Sequence, residues 1–193
     1  MKIHARYLLI LVSCLAAHPV FAEPRIIGTI EAVLDGEPKT WHLLYSDDDA
    51  THSAFWTAHG AGQNMAILGG YESLDITFGK DESGYPTVSG PGSMLTINFG
   101  FAVGAKSAKH TLPEQGAAPV GVIYMRRAGD YSSMLGMEEG VVEVTTIDMS
   151  ANGEAKFTGT FSGKLESMDE ARTTVSITDG RFEVEQARQK KIP

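Results

Sequence analysis

The chain has 193 residues, with 16 Lys and Arg against 24 Asp and Glu and a net charge of −8 at pH 7. Binding of nucleic acid or of anionic lipid depends on Lys and Arg side chains that neutralise phosphate groups. The acidic balance therefore predicts that the protein has no nucleic-acid partner.

The first residues have the layout of a secretory signal peptide. Lys2 and Arg6 supply positive charge, an apolar run covers residues 7–17, and small or β-branched side chains stand one and three residues before the bond that follows Ala22. We predict a signal peptide over residues 1–22, cleavage after Ala22, and a periplasmic or secreted mature protein. The apolar run is shorter than the roughly 20 residues that a transmembrane helix needs, so we expect no transmembrane segment.

Cys14 leaves an alternative form of processing open. Residues 11–14, Leu-Val-Ser-Cys, resemble the lipobox after which bacterial lipoproteins are cut and lipidated on cysteine. The apolar run continues through residues 15–17, whereas mature lipoproteins usually turn polar there. Cleavage after Ala22 is favoured, and a lipid anchor at Cys14 is the alternative. Under the favoured interpretation the mature protein keeps no cysteine, which excludes disulfides, thiol catalysis and cysteine-based zinc sites.

The first turn signal after the leader is Asp35-Gly36, a pair that favours a two-residue hairpin turn. This turn sets apolar side chains opposite one another on one face, pairing Ile30 with Trp41, Gly28 with Leu43 and Ile26 with Tyr45. A slip of one residue would move the whole apolar set to the other face, so the agreement supports the register. Trp41 is therefore predicted to lie in the core.

The middle of the chain shows the period-two alternation of half-buried strands. The clearest run places five apolar side chains on one face: Leu95, Ile97, Phe99, Phe101 and Val103. A shorter run does the same with Leu74, Ile76 and Phe78. Weaker strands are predicted near Phe55 and over residues 65–71 and 120–126, and residues 79–93 form a long loop.

Asn152-Gly153 predicts a second hairpin, which sets Val144 opposite Phe161 and Val142 opposite Gly163. In this strand Phe157, Phe161 and Leu165 share one face.

Asp179-Gly180 predicts a third hairpin, with Ile177 opposite Phe182 and Val175 opposite Val184. The alternative is one long strand with a β-bulge at this point, which would also move the apolar side chains from one face of the sheet to the other. A short helix is predicted over residues 167–171.

These elements indicate an all-β protein in which residues 23–193 form one domain of roughly ten strands. Short strands joined by polar turns are typical of a β-sandwich or a closed barrel. Uneven strand lengths and long loops favour a single antiparallel β-sandwich of the jelly-roll kind, with the closed barrel as the alternative.

The C-terminal run from Gly159 to Leu165, Gly-Thr-Phe-Ser-Gly-Lys-Leu, continues into the sequence Val-Ser-Ile-Thr-Asp-Gly-Arg-Phe at residues 175–182. Together they resemble the ending of many uncharacterised bacterial envelope proteins. Those proteins are exported β-rich domains of unknown function, and many of them are lipoproteins. The resemblance implies an exported β-rich fold and brings no catalytic residue with it.

Residues 46–63 hold the candidate metal-binding side chains, which are Asp47, Asp48, Asp49, His52 and His59. Carboxylate oxygens suit calcium, and imidazoles suit zinc. Yet the three acids are consecutive, whereas calcium loops take their ligands from alternate positions. A solvated acidic loop is therefore the favoured interpretation, and a calcium or zinc site is the alternative.

No catalytic residue is assigned, because the Gly-x-Ser-x-Gly and Ser-x-x-Lys arrangements of serine nucleophiles are both absent from the sequence. The favoured function is an exported, non-enzymatic envelope module that binds a protein, a glycan or a small ligand through residues still unassigned. One alternative is a metal-dependent hydrolase or calcium-stabilised domain built on the segment from Asp47 to His59. Another is a subunit of a surface assembly that adds a neighbour's strand to an open sheet edge.

Overall fold

The computed structural model describes residues 25–47, 52–60, 62–84, 86–113, 120–167 and 172–190. All regular elements in these ranges are β-strands, apart from one 3-10 turn at Tyr131–Ser133. The all-β prediction is confirmed. The predicted signal peptide and most of the helix predicted over residues 167–171 lie outside the described residues.

Twelve strands make up the described fold. They are β1 (Ile26–Leu34), β2 (Glu37–Leu44), β3 (Ala54–Ala58), β4 (Gln63–Tyr71), β5 (Thr77–Lys80), β6 (Pro86–Ser89), β7 (Met94–Ala102), β8 (Ala108–Leu112), β9 (Gly121–Met125), β10 (Met134–Met149), β11 (Glu154–Ser167) and β12 (Thr174–Gln189). The weaker strands predicted near Phe55, over residues 65–71 and over residues 120–126 correspond to β3, β4 and β9. No helix in the described part of the chain is long and apolar enough to cross a membrane.

Ten of the strands belong to one hydrogen-bonded sheet, and β5 and β6 form a separate hairpin. The pairings run from β1 through β2, β4, β7, β9, β10, β11 and β12 and return to β1. The sheet is mixed, because β3 lies parallel to β12, with Phe55 opposite Arg188. Every other pairing is antiparallel, so the antiparallel prediction holds for most of the sheet but not for this pair.

Alternate residues of the sheet point into one apolar core. Trp41, Phe99 and Phe157 are completely buried there, as is Leu95 at the start of β7. The predicted face of β7 is confirmed from Leu95 to Phe101, but Val103 is 68% exposed because the strand ends at Ala102.

The alternation predicted over residues 74–78 is wrong at its start. The strand begins only at Thr77, and Leu74 stays 43% exposed in the connection before it.

The first hairpin has the predicted register at its centre, where Ile30 pairs with Trp41 and Gly28 with Leu43. Farther from the turn an irregularity shifts the pairing by one residue, and Ile26 lies opposite Leu44 instead of Tyr45. The predicted pairing of Ile26 with Tyr45 is therefore wrong, because the alternation of apolar and polar residues does not reveal a bulge.

The second hairpin is also present, but its predicted register is wrong by two residues. Phe161 lies opposite Val142, and Val144 lies opposite Gly159. The loop is one residue longer than a two-residue turn, and a bulge beside Thr145 adds the second shift. Two shifts of one residue restore the original faces, which is why the predicted burial of these side chains is correct although their partners are not.

The predicted third hairpin is wrong, and the alternative interpretation is confirmed. Residues 174–189 form one continuous strand, β12, in which Asp179 has a φ of 52°. The pairing with β1 shifts at this point, between Thr178 opposite Val33 and Arg181 opposite Glu31. A residue with left-handed backbone geometry in a bulge moves the side chains that follow it to the opposite face of the sheet, while the strand continues in the same direction.

Candidate functional site

The described members of the predicted metal segment do not converge. Asp47 follows β2 with its side chain 95% exposed, and Oδ1 accepts a hydrogen bond of 2.9 Å from the Tyr45 hydroxyl. His59 is exposed at the end of β3. Asp48 and Asp49 lie outside the described residues. Within the described ranges, no three His, Cys, Asp or Glu side chains come close enough together to hold a metal ion.

His52, another predicted ligand, is 4% exposed. Its Nδ1 accepts a hydrogen bond of 3.1 Å from the backbone N–H of Ser46, and its Nε2 lies 3.3 Å from the carbonyl oxygen of Gln186. Both ring nitrogens thus contact backbone groups. These contacts fasten the segment after β2 to β12, which is a structural role.

Two arginines surround the start of the acidic segment. The guanidinium carbons of Arg25 and Arg188 lie 3.9 Å and 4.4 Å from the centre of the Tyr45 ring. Arg188 also donates a 2.9 Å hydrogen bond to the carbonyl oxygen of Ser46 and lies 3.7 Å from Asp47. Arg188 therefore balances part of the charge of Asp47.

A second polar cluster links β2 with the ends of β4 and β7. Glu72 accepts hydrogen bonds from Lys39 Nζ at 2.9 Å, from the Ser93 amide at 2.9 Å and from the Ser93 hydroxyl at 2.7 Å. Trp41 Nε1 donates to the same hydroxyl at 2.9 Å. Burial raises the pKa of Glu72, but the hydrogen bonds from Lys39 and Ser93 outweigh it and lower that pKa to about 2. Ser93 is buried, so this cluster joins strands and does not present a nucleophile.

The candidate ligand site is a groove between the β5–β6 hairpin and the outer face of β3, β4 and β7. We call it the hairpin groove, and its volume is about 180 Å³. Its lining residues are His52, Ser53, Phe55, Ile67, Gly69, Tyr71, Phe78, Thr87, Val88, Met94 and Thr96. No carboxylate is among them, although the chain as a whole is acidic.

One end of the hairpin groove rests on a small apolar cluster separate from the main core. Leu44, Tyr71 and Ala128 are buried in it, and side chains of the β5–β6 hairpin pack against them. The rings of Tyr71 and Phe78 meet edge to face, with their centres 5.8 Å apart. Apolar packing therefore holds the hairpin against the sheet and shapes the groove.

The floor of the hairpin groove is Gly69. A Cβ there would meet Met94 Cε and the Ser53 carbonyl oxygen at 3.5 Å, which is ordinary van der Waals contact. The neighbouring Gly70 points the other way, where a Cβ would lie 2.8 Å from Trp41 Cβ in the core. Gly69 thus keeps the floor open, whereas Gly70 makes room for the core.

Three hydroxyls line the hairpin groove without a hydrogen-bond partner in the described part of the chain, namely those of Tyr71, Thr87 and Thr96. Tyr71 is only 5% exposed. Its burial, together with the nearby Tyr131, raises the pKa of its hydroxyl to about 12. In contrast, the Ser53 hydroxyl is used within the fold, where it donates to the Leu44 carbonyl at 3.1 Å.

Sequence patterns did not single out the hairpin groove. They predicted strands near Phe55 and over residues 65–71 but could not show that a distant hairpin covers their outer faces. The available signal was the apolar character of both faces near Ile67 and Tyr71, since a half-exposed strand normally shows one polar face. Comparison of the chain with models of protein families, with curated proteins and with solved structures found no match.

Proposed function

We propose that this chain is an exported, non-enzymatic envelope module that binds a small ligand in the hairpin groove. The observation that carries the proposal is the groove itself, an apolar concave surface with a few hydroxyls in its lining. Ligand sites are usually concave, mostly apolar and equipped with a small number of polar groups.

The arrangement of the sheet supports a binding role. We infer that the sheet closes on itself, as in the closed barrel that was the sequence alternative to the sandwich. The supporting observation is the circuit of strand pairs, since β1 pairs with both β2 and β12. A closed sheet with a filled core is a rigid support, and the hairpin that covers its outer face can then define a groove of constant shape.

The same circuit leaves the large sheet few open edges for the surface-assembly alternative, although β5 and β6 each keep an edge without a strand partner. Strand addition needs an open edge with unpaired backbone groups. Most strands of the large sheet have a partner on both sides. One edge of β8 has no strand partner, and this edge faces β7. There His110 Nε2 lies 2.8 Å from the carbonyl oxygen of Gly100. The hydrolase alternative has less support too, because His52 is held by backbone groups and His59 lies apart on the surface.

Export is part of the proposal and is supported by the sequence alone. The charged start, the apolar run and the small residues before the bond after Ala22 are typical of a signal peptide. A periplasmic or secreted location follows, with a lipid anchor at Cys14 as the alternative. The C-terminal resemblance to exported bacterial envelope proteins points to the same compartment.

An NMR titration with toluene tests the binding site. We expect amide shifts to concentrate on Gly69, Val88 and Thr96, and the melting temperature to rise because the ligand binds only the folded state. Gly69→Val should weaken binding by filling the floor. Ser162→Val, on the exposed face of β11, is the matched control and should leave binding unchanged. Shifts that concentrate elsewhere, or none at all, would overturn the proposal.

A further inference from the structure

We infer that the ligand of the hairpin groove is a single aromatic ring that carries a hydrogen-bond-accepting oxygen. This inference rests on the proposed function and adds the chemical class of the ligand. Three properties of the groove support it: its size, the aromatic and sulfur-containing side chains in its wall, and its unpartnered hydroxyls.

The volume of the hairpin groove matches a small ligand. Its volume of about 180 Å³ is close to that of an engineered apolar cavity of roughly 150 Å³ that binds benzene. Drug-sized ligands occupy pockets of about 300 to 1,000 Å³. One ring with a short substituent therefore matches this volume better than a drug-sized compound does.

The wall of the hairpin groove favours an aromatic occupant. Phe55, Phe78 and Tyr71 supply rings, and Met94 supplies a thioether. Aromatic rings prefer edge-to-face or offset neighbours, and a methionine sulfur makes favourable contacts with ring edges. The edge-to-face pair of Tyr71 and Phe78 already shows this geometry inside the groove.

The hydroxyls in the lining of the hairpin groove indicate which polar substituent the ligand carries. The hydroxyls of Tyr71 and Thr96 have no hydrogen-bond partner in the described part of the chain, so they can donate to a ligand oxygen, and that hydrogen bond adds affinity. Nothing in the lining carries a negative charge that would attract an amine. Lys190 has its Nζ 5.0 Å from the centre of the Phe55 ring, and a cation there favours an electron-rich oxygen at that end.

The test compares acetophenone with α-methylstyrene, two molecules of nearly the same shape that differ in the carbonyl oxygen. Calorimetric or NMR titration of the folded protein should show acetophenone binding about three- to tenfold more tightly, the range that one hydrogen bond supplies. Tyr71→Phe keeps the ring and its packing but removes the hydroxyl. It should reduce the preference for acetophenone and leave the affinity for α-methylstyrene unchanged.

Thr96→Val is the second variant, because valine has the shape of threonine without the hydroxyl, and it covers the case in which Tyr71→Phe fails to fold. The inference is overturned if both compounds bind equally to the unchanged protein, or if neither variant reduces the preference. In that outcome the groove still binds apolar rings, and the proposed function stands. If neither compound binds and toluene does not bind either, both proposals fall together.

Discussion

The ring of Phe161 on β11 lies against Gly180, its partner on β12. A Cβ on Gly180 would be 2.8 Å from both Cδ1 and Cδ2 of that ring. The relationship recurs two pairs along, where Phe182 on β12 lies over Gly159 on β11. Each glycine therefore supplies the space that the aromatic ring on the opposite strand fills, and the two pairs pack the interior of the sheet.

Gly180→Ala should destabilise the protein by about 1–3 kcal/mol, the usual cost of overpacking a dense core. The methyl group would meet the ring and the backbone of Phe161, and neither can move far. Urea unfolding monitored by circular dichroism measures the loss. Gly69→Ala is the matched control, because its methyl group meets only ordinary contacts, and its effect should stay within about 0.5 kcal/mol. Equal losses in the two variants would contradict the packing described for Gly180.

Phe161→Ala should cost roughly 3–5 kcal/mol, because it removes a buried ring and leaves a cavity beside Gly180. The same urea unfolding experiment applies. Ser162→Ala, at the next and exposed position of β11, should have little effect. A loss below about 1 kcal/mol for Phe161→Ala would place its side chain on the surface.

The stability of the protein should fall as the pH drops from 4.5 towards 2, in part because of Glu72. Its pKa is about 2 in the folded protein against an ordinary value of 4.5, so in this range the unfolded carboxyl takes up a proton that the folded one does not. The contribution is fully present above pH 4.5 and is lost as the pH approaches 2.

Glu72→Gln should remove this pH dependence and cost about 1 kcal/mol at neutral pH. The cost is smaller than the full pKa shift implies, since the side chain is about a third exposed and solvent screens its ion pair with Lys39. Thermal unfolding across the acidic range measures both effects. Glu139→Gln, which breaks an exposed pair with Lys164, is the control and should change the pH profile less. An unchanged profile in Glu72→Gln would show that other carboxyls cause the acid sensitivity.

Calcium and zinc at millimolar concentration should leave the melting temperature of chelator-treated protein unchanged. Among the residues of the metal hypothesis, His52 is buried and held by backbone groups, while Asp47 and His59 point into solvent. Differential scanning calorimetry and the fluorescence of Trp56 give independent readouts. A rise in melting temperature that Asp48→Ala abolishes would reverse this expectation and establish a metal site in the segment.

Export should remove residues 1–22, so that the mature chain begins at Glu23. Mass spectrometry of the protein purified from its native host determines the N-terminus directly. Ala22→Pro, which alters the residue before the cleaved bond, should block processing. A mature N-terminus at a lipidated Cys14 would instead establish the alternative and anchor the protein in a membrane.

Local patterns were sufficient for the strands but not for their partners. The alternation along β7 and the Asp35-Gly36 turn produced correct faces and a correct central register, because both depend on neighbouring residues. Bulges beside Thr145 and at Asp179 changed partners farther away. A bulge adds one residue to a strand without altering the apolar pattern on either side of it, so the partner strands show it and the sequence alone does not.

The sequence by itself determined that the chain is all-β and which side chains of β7 and β11 are buried. These properties follow from residue type and from period-two alternation. Only the tertiary structure decided that the strand pairs form one circuit and that the β5–β6 hairpin lies over Gly69 and Tyr71. It also placed Asp47, the first acid of the metal hypothesis, 3.7 Å from Arg188. Those relationships join residues far apart in the chain. They are stabilised by long-range contacts, which the pattern of neighbouring residues does not reveal.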